Sequence, residues 1–443
     1  MNIEEVLKLA SDTKALRLGD GILSQVADLF KEQFPGKRAI VIADTTTFEV
    51  AGKQVTEYLN AGDVEQDKPY VFPEKDLFAE YHYIDRLVEI FQKTEAIPVA
   101  VGSGTINDLT KLSSFLTNRR YMCVGTAPSM DGYTSYGASI TKDGAKQTFN
   151  CPAPQAWLGD TSIICQAPEP MMASGFGDLY AKVVCGAHWI IADELGAEPI
   201  DKNVWSIVQD GLLKALGNPK AIHERDPKAV GDLVEGLILS GFAMQAMRSS
   251  RPASGAEHQF SHLWNMEHLT NHGKMNSNGF QVSIGTLASA ALYEEALKTK
   301  MEDLDVEACC KAWPTKEELA KDAIDKFKDT DFPNIGLTET GVKYIPKDQL
   351  KVQLERLKTR WPILKERLAK QLIPFDEMKA SLQYVGAPVE PEQIGVSREY
   401  LKRSYIRAQY IRRRFTILDL AVRTNLLNKW VDNLFDKGGR WQA

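Results

Sequence analysis

Four of the seven histidines in this chain fall within one short segment, at positions His258, His262, His268 and His272. His258 and His262 are four residues apart, so a helix would place both side chains on one face. His272 precedes Gly273, where we expect the helix to end and the chain to turn. Two imidazoles from a helix and one from the following turn, joined by a carboxylate from elsewhere, can bind one divalent cation.

A carboxylate for such a site is available upstream. Asp178 follows two glycines in the segment 174–182 and is the natural further ligand for His258 and His272. Two ordinary roles compete with this interpretation. Histidines at helical spacing are often hydrogen-bonded core or surface residues, and Asp178 could instead cap the start of a helix.

A glycine-containing loop lies between a predicted buried strand and a predicted helix, with the sequence Gly-Ser-Gly-Thr-Ile-Asn-Asp at 102–108. Glycine lets backbone N–H groups approach a phosphate closely, and the helix N-terminus adds a positive dipole, so a diphosphate could bind here. Asn107 occupies the third glycine position of the dinucleotide-binding fingerprint, so a tight structural turn is an equal alternative.

Two further polar segments end predicted strands. Asp44 could accept hydrogen bonds from an adenosine ribose, or could cap the helix that begins near Thr46. The loop 126–135 carries hydroxyl groups and one carboxylate, Asp131, which suit contacts to a nicotinamide ribose and a substrate. A polar loop of this composition is also typical of an ordinary turn. Ligands of open α/β sheets collect at the carboxyl ends of the strands, where we expect all three segments to lie.

The elements that would position these residues change in type along the chain. Strands are predicted at 39–43, 69–72, 97–101 and 121–124, separated by helices, and a hairpin at 140–149 turns at Asp143-Gly144. From Met171 onward the apolar residues repeat with helical period over 171–196, 203–215, 227–249, 254–270, 277–299, 315–327, 347–371 and 397–436.

This alternation predicts a Rossmann-like α/β domain with a mainly parallel sheet, followed by an all-helical domain. Proline-rich stretches at 151–154 and 167–170 mark the approach to a boundary. We expect a dinucleotide-binding domain over residues 1–165 and a metal- and substrate-binding domain over 166–443, with the active site in the cleft between them.

Composition narrows the class of protein. The 443 residues are 44% apolar and 25% charged, as in ordinary soluble proteins, and the net charge of −6 argues against nucleic-acid binding. The N-terminus lacks an apolar run, and the most apolar window, 233–244, is too short for a membrane span. Six cysteines without Cys-x-x-Cys spacing indicate reduced thiols in a cytoplasmic protein.

Taken together and in this order, the segments resemble the sn-glycerol-1-phosphate dehydrogenases, a family in the superfamily of iron-type alcohol dehydrogenases, glycerol dehydrogenases and dehydroquinate synthases. The residues 410–421 resemble the end of the bacterial, arabinose-operon-associated branch. The resemblance implies a dehydroquinate synthase-like fold. The segments that carry the resemblance are 102–108, 126–135, 174–179, 254–262 and 272–273.

The resemblance also implies roles for individual residues. Asp178, His258 and His272 would hold one divalent metal, zinc or nickel in this family and iron in some relatives. Asp131 and His262 would be catalytic and would contact the substrate, as would Asp178. NAD or NADP would be held by Asp44, Gly102, Ser103, Gly104, Thr105, Ile106, Thr126, Ser129 and Ser135.

The implied reaction interconverts sn-glycerol 1-phosphate and dihydroxyacetone phosphate, with hydride passing between the substrate and the nicotinamide ring. His262 would relay the proton, since imidazole titrates near neutrality. The substrate would be a small polyol phosphate, and we expect a homodimer with no nucleic-acid partner and no membrane span.

Three other functions remain open at this point. One is that of another polyol or alcohol dehydrogenase of the same superfamily, and the other two differ in their chemistry. A dehydroquinate synthase-like enzyme would need basic residues around a phosphate, and a nucleotide- and metal-binding regulator would need no catalysis at all. Release of a reduced cofactor with glycerol phosphates would separate a glycerol-1-phosphate dehydrogenase from both of these. The basic residues near the motifs are Lys146, Lys182, Arg248, Arg251 and Lys274.

Overall fold

A computed structural model describes residues 2–143 and 145–442 of the chain. These residues form two compact units, which are described separately. Residue 165, after which we predicted the domain boundary, lies within the first segment of the first unit, and two later segments of the chain also belong to that unit. The first unit comprises Met1–Leu179, Asn203–Ser250 and Tyr384–Gly386, and the second comprises Tyr180–Lys202, Arg251–Gln383 and Ala387–Ala443.

The first unit is built on a six-stranded sheet in which every neighbouring pair is parallel, with strand order β1-β8-β5-β4-β2-β3. The remaining two strands form an antiparallel hairpin. The strands are β1 Ala15–Gly19, β2 Ala39–Asp44, β3 Tyr70–Phe72, β4 Ile97–Gly102, β5 Met122–Gly125, β6 Ala138–Lys142, β7 Ala145–Phe149 and β8 Ala156–Asp160.

The four predicted strands and the predicted hairpin are present, but β1 and β8 were not predicted. β8 begins directly after the proline-rich stretch that was assigned to a domain boundary, and its residues Ala, Gly and Asp have low strand propensity. The sheet compensates for this, because β8 pairs with β1 on one side and β5 on the other and is buried along its whole length. The hairpin reverses at Asp143, which has φ +53°, while Gly144 lies outside the described residues.

Helices flank this sheet. The apolar faces of two helices, Val26–Gln33 with Leu29 and Phe30 and Lys53–Ala61 with Leu59, pack on Val41 and Val99 to form the buried core on one side. The helices up to residue 250 are α1 Ile3–Leu7, α2 Val26–Gln33, α3 Thr45–Thr47, α4 Lys53–Ala61, α5 Tyr81–Phe91, α6 Gly104–Leu116, α7 Thr161–Ile164, α8 Glu169–Glu194, α9 Lys202–Gln209, α10 Leu212–Leu216, α11 Pro219–His223 and α12 Pro227–Met247, with a 3₁₀ turn at Leu23–Gln25 and a π turn at Phe48–Gly52.

One of these helices, α12, is long and apolar enough to be considered as a membrane span, with a mean hydropathy of 1.2 over its most apolar window. Of that window, 61% is buried inside the protein. Gly236 lets the helix approach Leu179 and Ala215 closely. This burial is that of a core helix, and no other described helix passes the same test of length and composition.

The second unit is helical. Its helices are α13 Ala256–Met266, α14 Asn278–Lys298, α15 Val306–Ala312, α16 Lys316–Phe327, α17 Ile335–Lys343, α18 Lys347–Gln371, α19 Phe375–Tyr384, α20 Arg398–Arg407, α21 Ile417–Arg423 and α22 Leu427–Phe435, with 3₁₀ turns at Met301–Asp303, Pro391–Ile394 and Ala408–Tyr410. The predicted fold class, a parallel α/β domain followed by a mostly helical region, is confirmed.

Several helix boundaries differ from the prediction. The periodic segment 397–436 is three helices, because Thr416 starts a new helix with a capping box and Asn425 adopts a positive φ. The segment 203–215 is two helices separated near Gly211. α13 ends at Met266 instead of residue 270, since the chain turns at His268, which also has a positive φ.

Candidate active site

The three segments predicted to bind the cofactor lie at one edge of the sheet. Strands β5, β4 and β2 are neighbours at its centre, and their carboxyl ends lead into Thr126, the glycine loop and Asp44. The backbone N–H of Thr126 donates to the carbonyl of Gly102 at 3.1 Å, which joins two of these segments directly. Parallel pairing therefore brings together residues that are far apart in the sequence.

The glycine loop enters α6 at a close approach of backbone and side chains. A Cβ on Gly102 would lie 2.7 Å from Ile106, and one on Gly104 would lie 2.8 Å from Met130. Ser103 occupies the N-cap position of α6, and its side chain makes no capping hydrogen bond. The turn is thus tight, as the structural alternative predicted. It also leaves the first N–H groups of α6 without a side-chain cap, and N–H groups at such a position can bind a phosphate.

Asp44 and Asn107 both make structural contacts. Asp44 accepts a hydrogen bond from the Thr47 N–H at 2.8 Å, and its own N–H donates to the Thr47 hydroxyl at 3.1 Å, so it caps α3. Asn107 is buried and accepts a hydrogen bond from the Tyr121 hydroxyl at 2.9 Å. The predicted contact between Asp44 and a ribose stays a prediction beside this observed cap.

The loop 126–135 is held by Lys111, a residue that the sequence analysis did not select. The ammonium of Lys111 is buried and donates to the carbonyls of Gly132 at 2.9 Å, Ser135 at 3.0 Å and Gly137 at 3.0 Å. A lysine among the apolar positions of α6, next to Leu112, was the available signal. Lys111 fixes the backbone that carries the predicted cofactor and substrate residues.

Asp131 and Asp178 are in contact. The backbone N–H of Asp131 donates to Oδ2 of Asp178 at 3.0 Å, and the Ser240 hydroxyl donates to Oδ2 of Asp131 at 2.8 Å. Asp178 is fully buried and lies well inside α8, which begins at Glu169. The alternative that Asp178 caps a helix is therefore wrong.

Two glycines bring helices onto the backbone of this loop. A Cβ on Gly175 of α8 would lie 1.6 Å from the carbonyl oxygen of Pro128, and one on Gly241 of α12 would lie 2.7 Å from that of Asp131. The Ser174 hydroxyl also donates to the carbonyl of Ser129 at 3.2 Å. Since Asp178 is one helical turn beyond Gly175, this close approach places its carboxylate against Asp131.

Lys146 on β7 interacts electrostatically with two acids of the first unit, Asp108 and Asp178. Burial lowers the pKa of Lys146, and the carboxylates of Asp108 and Asp178 act against that shift. Burial raises the pKa of Asp108, which accepts a hydrogen bond from the Ser139 N–H at 3.1 Å. The hairpin strand β7 thus carries a cation, Lys146, close to the carboxylates of Asp108 and Asp178.

In the second unit, α13 presents His258 and His262 on one face, as the spacing predicted. Their ring centroids are 6.3 Å apart. Nδ1 of His258 lies 2.8 Å from a carboxylate oxygen of Glu257, the preceding residue. His268 lies beyond the helix on the surface, where its Nε2 is 2.6 Å from Asp331.

His272 lies in a tight turn and not at the end of a helix. Asn271 and Lys274 exchange backbone hydrogen bonds of 2.8 Å and 3.1 Å, and the two residues between them have positive φ angles, +49° for His272 and +77° for Gly273. This is the geometry of a two-residue hairpin turn of the primed type. The imidazole of His272 is exposed there.

The comparisons with known proteins agree with these motifs. A family model described as iron-containing alcohol dehydrogenase matches residues 17–168. The chain is 31% identical over 386 residues to the glycerol-1-phosphate dehydrogenase (NAD(P)+) of Geobacillus thermodenitrificans, and the match covers 86% of each chain. This chain belongs to the glycerol-1-phosphate dehydrogenase family. The corresponding protein of Halalkalibacterium halodurans is 34% identical over 265 residues, which cover 59% of this chain and 66% of that one.

Solved structures share the fold of this family member. A probable glycerol dehydrogenase from Sinorhizobium meliloti matches with a TM-score of 0.60 and 15% identity, over 95% of this chain and 98% of that one. Glycerol dehydrogenase from Schizosaccharomyces pombe matches with a TM-score of 0.60 and 16% identity, over 98% and 91% of the two chains.

The family implies a divalent metal, and the donor chemistry of the candidate ligands fits one. Glu257 contacts Nδ1 of His258, so a metal bound by this ring would be held through Nε2, and a carboxylate behind the imidazole is typical of metal-binding histidines. Asp178 supplies a buried carboxylate. Taken within either unit alone, the described His, Cys, Asp and Glu residues form no group of three that could hold a metal ion.

Glu257 is the other residue that the sequence analysis missed. Burial raises its pKa, but hydrogen bonds from His188 and His258 outweigh that effect and hold the pKa of Glu257 well below its usual range. Its carboxylate also accepts the Gly255 N–H at 2.5 Å. The signal in the sequence was its place directly before His258, inside one of the segments that carry the family resemblance.

Proposed function

We propose that this protein is a metal-dependent, NAD(P)-linked dehydrogenase that interconverts sn-glycerol 1-phosphate and dihydroxyacetone phosphate. The observation that supports this most directly is the contact between Asp178 on α8 and Asp131, which lies on a loop at the carboxyl edge of the parallel sheet. Relatives at 31% and 34% identity carry the name of this activity. The family relationship thus suggests the reaction, and the loop suggests where the substrate binds.

The cofactor is proposed to bind along the edge formed by β5, β4 and β2. The diphosphate would rest on the loop Gly102 to Ile106, where the uncapped start of α6 offers N–H groups and a positive dipole. Thr126, Ser129 and Ser135 would surround the nicotinamide ribose. Asp44 would contact the adenosine ribose while it also caps α3.

The substrate is proposed to bind against Asp131, whose carboxylate is oriented by the Ser240 hydroxyl. Asp178, His258 and His272 are the proposed ligands of one divalent metal, zinc, nickel or iron. When bound, such a metal lowers the pKa of a secondary alcohol and polarises the corresponding ketone. His262 lies one turn along α13 from His258, and we propose that it transfers a proton to or from the substrate oxygen.

Three of the five basic residues considered for the dehydroquinate synthase-like alternative give it no support. Arg251 is buried and its Nε lies 2.7 Å from Glu198, so its charge is already compensated. Arg248 ends α12 in a left-handed conformation and lies over the Tyr136 ring, 5.4 Å from its centroid. Lys274 is exposed in the turn beside His272. These residues take structural or surface positions.

The test is an assay of dihydroxyacetone phosphate reduction with NADH and with NADPH, after reconstitution with zinc, nickel or iron. We expect oxidation of the reduced cofactor with the phosphate ester and little with unphosphorylated dihydroxyacetone. A matched reaction with a heptulosonate phosphate follows phosphate release. Phosphate release without net cofactor oxidation would refute the proposal in favour of the synthase.

A metal-ligand variant completes this test. A metal titration examines the proposed ligand set as a whole. His258→Ala should lose both the metal and activity while the far-ultraviolet circular dichroism is retained. Full zinc occupancy in this variant would remove His258 from the ligand set.

We also propose a cytoplasmic homodimer. All six cysteines are free, and all but Cys165 are buried, which supports a reducing compartment. Light scattering coupled to size-exclusion chromatography tests the dimer, since a monomeric mass at assay concentrations would contradict it.

A further inference from the structure

A line of buried polar side chains runs behind His258 in the second unit. Nδ1 of His258 lies 2.8 Å from Oε1 of Glu257, and Oε2 of Glu257 lies 3.3 Å from Nε2 of His188. Nδ1 of His188 lies 2.7 Å from the Tyr293 hydroxyl. Glu257, His188 and Tyr293 are no more than 1% exposed, and His258 is 8% exposed. Solvent therefore cannot provide alternative partners for these groups.

The hydrogen bonds at the far end of this line determine the tautomer of His188. The backbone N–H of Ile417 donates to Nδ1 of His188 at 3.2 Å. A backbone N–H can only donate, so Nδ1 carries a lone pair and the ring proton is on Nε2. That proton faces Oε2 of Glu257 across 3.3 Å, and no described residue forms a hydrogen bond of good geometry with either of these two atoms.

Glu257 in turn determines the tautomer of His258. Its Oε1 accepts the Gly255 N–H at 2.5 Å and lies 2.8 Å from Nδ1 of His258. A carboxylate can only accept, so the proton of a neutral His258 is on Nδ1 and the lone pair is on Nε2. Among the described residues no lysine or arginine lies within ion-pairing distance of the Glu257 carboxylate, which is contacted instead by the Gly255 N–H and by the rings of His188 and His258.

The carboxylate is also fixed in place by close packing. A Cβ on Gly255 would lie 2.2 Å from Cδ2 of His188, and one on Gly285 of α14 would lie 2.3 Å from the backbone carbonyl oxygen of Glu257. Three segments of the chain therefore meet around Glu257 without space for it to move. A buried carboxylate that contacts N–H groups but forms no ion pair with a lysine or arginine is stabilised further when the imidazole in front of it binds a cation.

We propose that Glu257 is a positioning residue that prepares His258 for the metal, and that His188, anchored by Tyr293 and Ile417, holds Glu257 in that role. Glu257 fixes the Nδ1–H tautomer, orients the ring, and makes Nε2 more basic through its negative charge. This inference rests on the proposed function, in which His258 is a metal ligand.

The test compares zinc affinity in the full-length protein. Zinc is removed with a chelator, and the zinc Kd is then measured by competition with a chromophoric chelator of known affinity. Glu257→Gln keeps the size of the side chain and an oxygen that can accept from Nδ1, but removes the charge. We expect its zinc Kd to rise by about 10–100-fold, the usual effect of losing the partner behind a metal-binding histidine.

The chain offers a matched control in Asp331→Asn. Asp331 also contacts a histidine, with 2.6 Å between its carboxylate and Nε2 of His268, but both side chains are exposed, by 69% and 52%. The substitution makes the same change from carboxylate to amide beside an imidazole in the same unit. Its zinc Kd should equal that of the unmodified protein.

A second measurement determines the tautomer in the unmodified protein. Long-range ¹H–¹⁵N NMR of the unmodified, zinc-free protein reports the tautomer of each histidine ring, and His258→Gln identifies the resonances of His258. We expect the Nδ1–H tautomer for His258. An Nε2–H tautomer would overturn the proposal.

The outcomes separate this inference from the proposed function. An unchanged zinc Kd in Glu257→Gln, with zinc binding intact in the unmodified protein, would overturn the positioning role and leave the proposed function standing. Failure of the unmodified protein to bind zinc, nickel or iron would overturn the proposed ligand set and this inference with it.

Discussion

Gly175→Ala is expected to disrupt the candidate site through one methyl group. The added Cβ would lie 1.6 Å from the carbonyl oxygen of Pro128, and contacts of Cβ below 3.0 Å essentially do not occur. The obstacle is backbone, so no rotamer change can relieve it. α8 and the loop 126–135 must separate, and the 3.0 Å hydrogen bond from the Asp131 N–H to Asp178 would exceed hydrogen-bonding distance.

The magnitude follows from these contacts. Overpacking costs about 1–3 kcal/mol, and loss of a hydrogen bond to a charged carboxylate costs about 1.5–3 kcal/mol. Alanine recovers about 1 kcal/mol through its higher helix propensity. We therefore expect the free energy of unfolding to fall by about 1.5–5 kcal/mol, and kcat/KM for dihydroxyacetone phosphate to fall by about 10²-fold because Asp131 is misplaced.

Gly231→Ala is the matched control. Gly231 also lies inside a helix, α12, but its Cβ would make only an ordinary contact of 3.6 Å with Thr161. This variant should gain about 0.5–1 kcal/mol of stability and keep its activity. Scanning calorimetry and steady-state kinetics measure both quantities for both variants. If Gly175→Ala were as stable and active as Gly231→Ala, the close approach of α8 to Pro128 would not position the site.

The remaining predictions concern single side chains. His262→Asn should keep the zinc Kd of the unmodified protein while kcat falls by about 10²–10⁴-fold, as for a lost acid–base group; loss of zinc instead would make His262 a ligand. Asp44→Ser should reduce any preference for NAD over NADP, because the carboxylate repels a 2′-phosphate; an equal ratio of kcat/KM values before and after would leave Asp44 as a helix cap only. Lys111→Met should lower the free energy of unfolding by about 2–4 kcal/mol, since three buried carbonyls lose a charged donor; an unchanged denaturation midpoint would contradict this role.

Features that depend on local patterns were predictable from the sequence. Strands β2, β4 and β5 are short apolar runs between helical segments, and this alternation determines a parallel sheet whose carboxyl edge collects the intervening loops. The shared face of His258 and His262 follows from a four-residue spacing on a helix. The family resemblance also followed from the order of the motifs, since each segment is short and weak alone.

Contacts between distant segments required the tertiary structure. β1 and β8 are strands because they pair with each other, and β8 also with β5, although their own residues have little strand propensity. The contact between Asp131 and Asp178 exists because Gly175 admits a loop carbonyl at a distance that only glycine allows.

The same reason explains the two functional residues that sequence patterns did not select. Lys111 and Glu257 each look like ordinary charged positions on a helix, where solvent exposure is the usual outcome. Both are buried in the fold, and their charges are directed at the groups they hold, three carbonyls for Lys111 and two imidazoles for Glu257. The sequence determined which elements form and which motifs they carry. Only tertiary packing determined which charged side chains are buried, because burial depends on neighbours that lie far away along the chain.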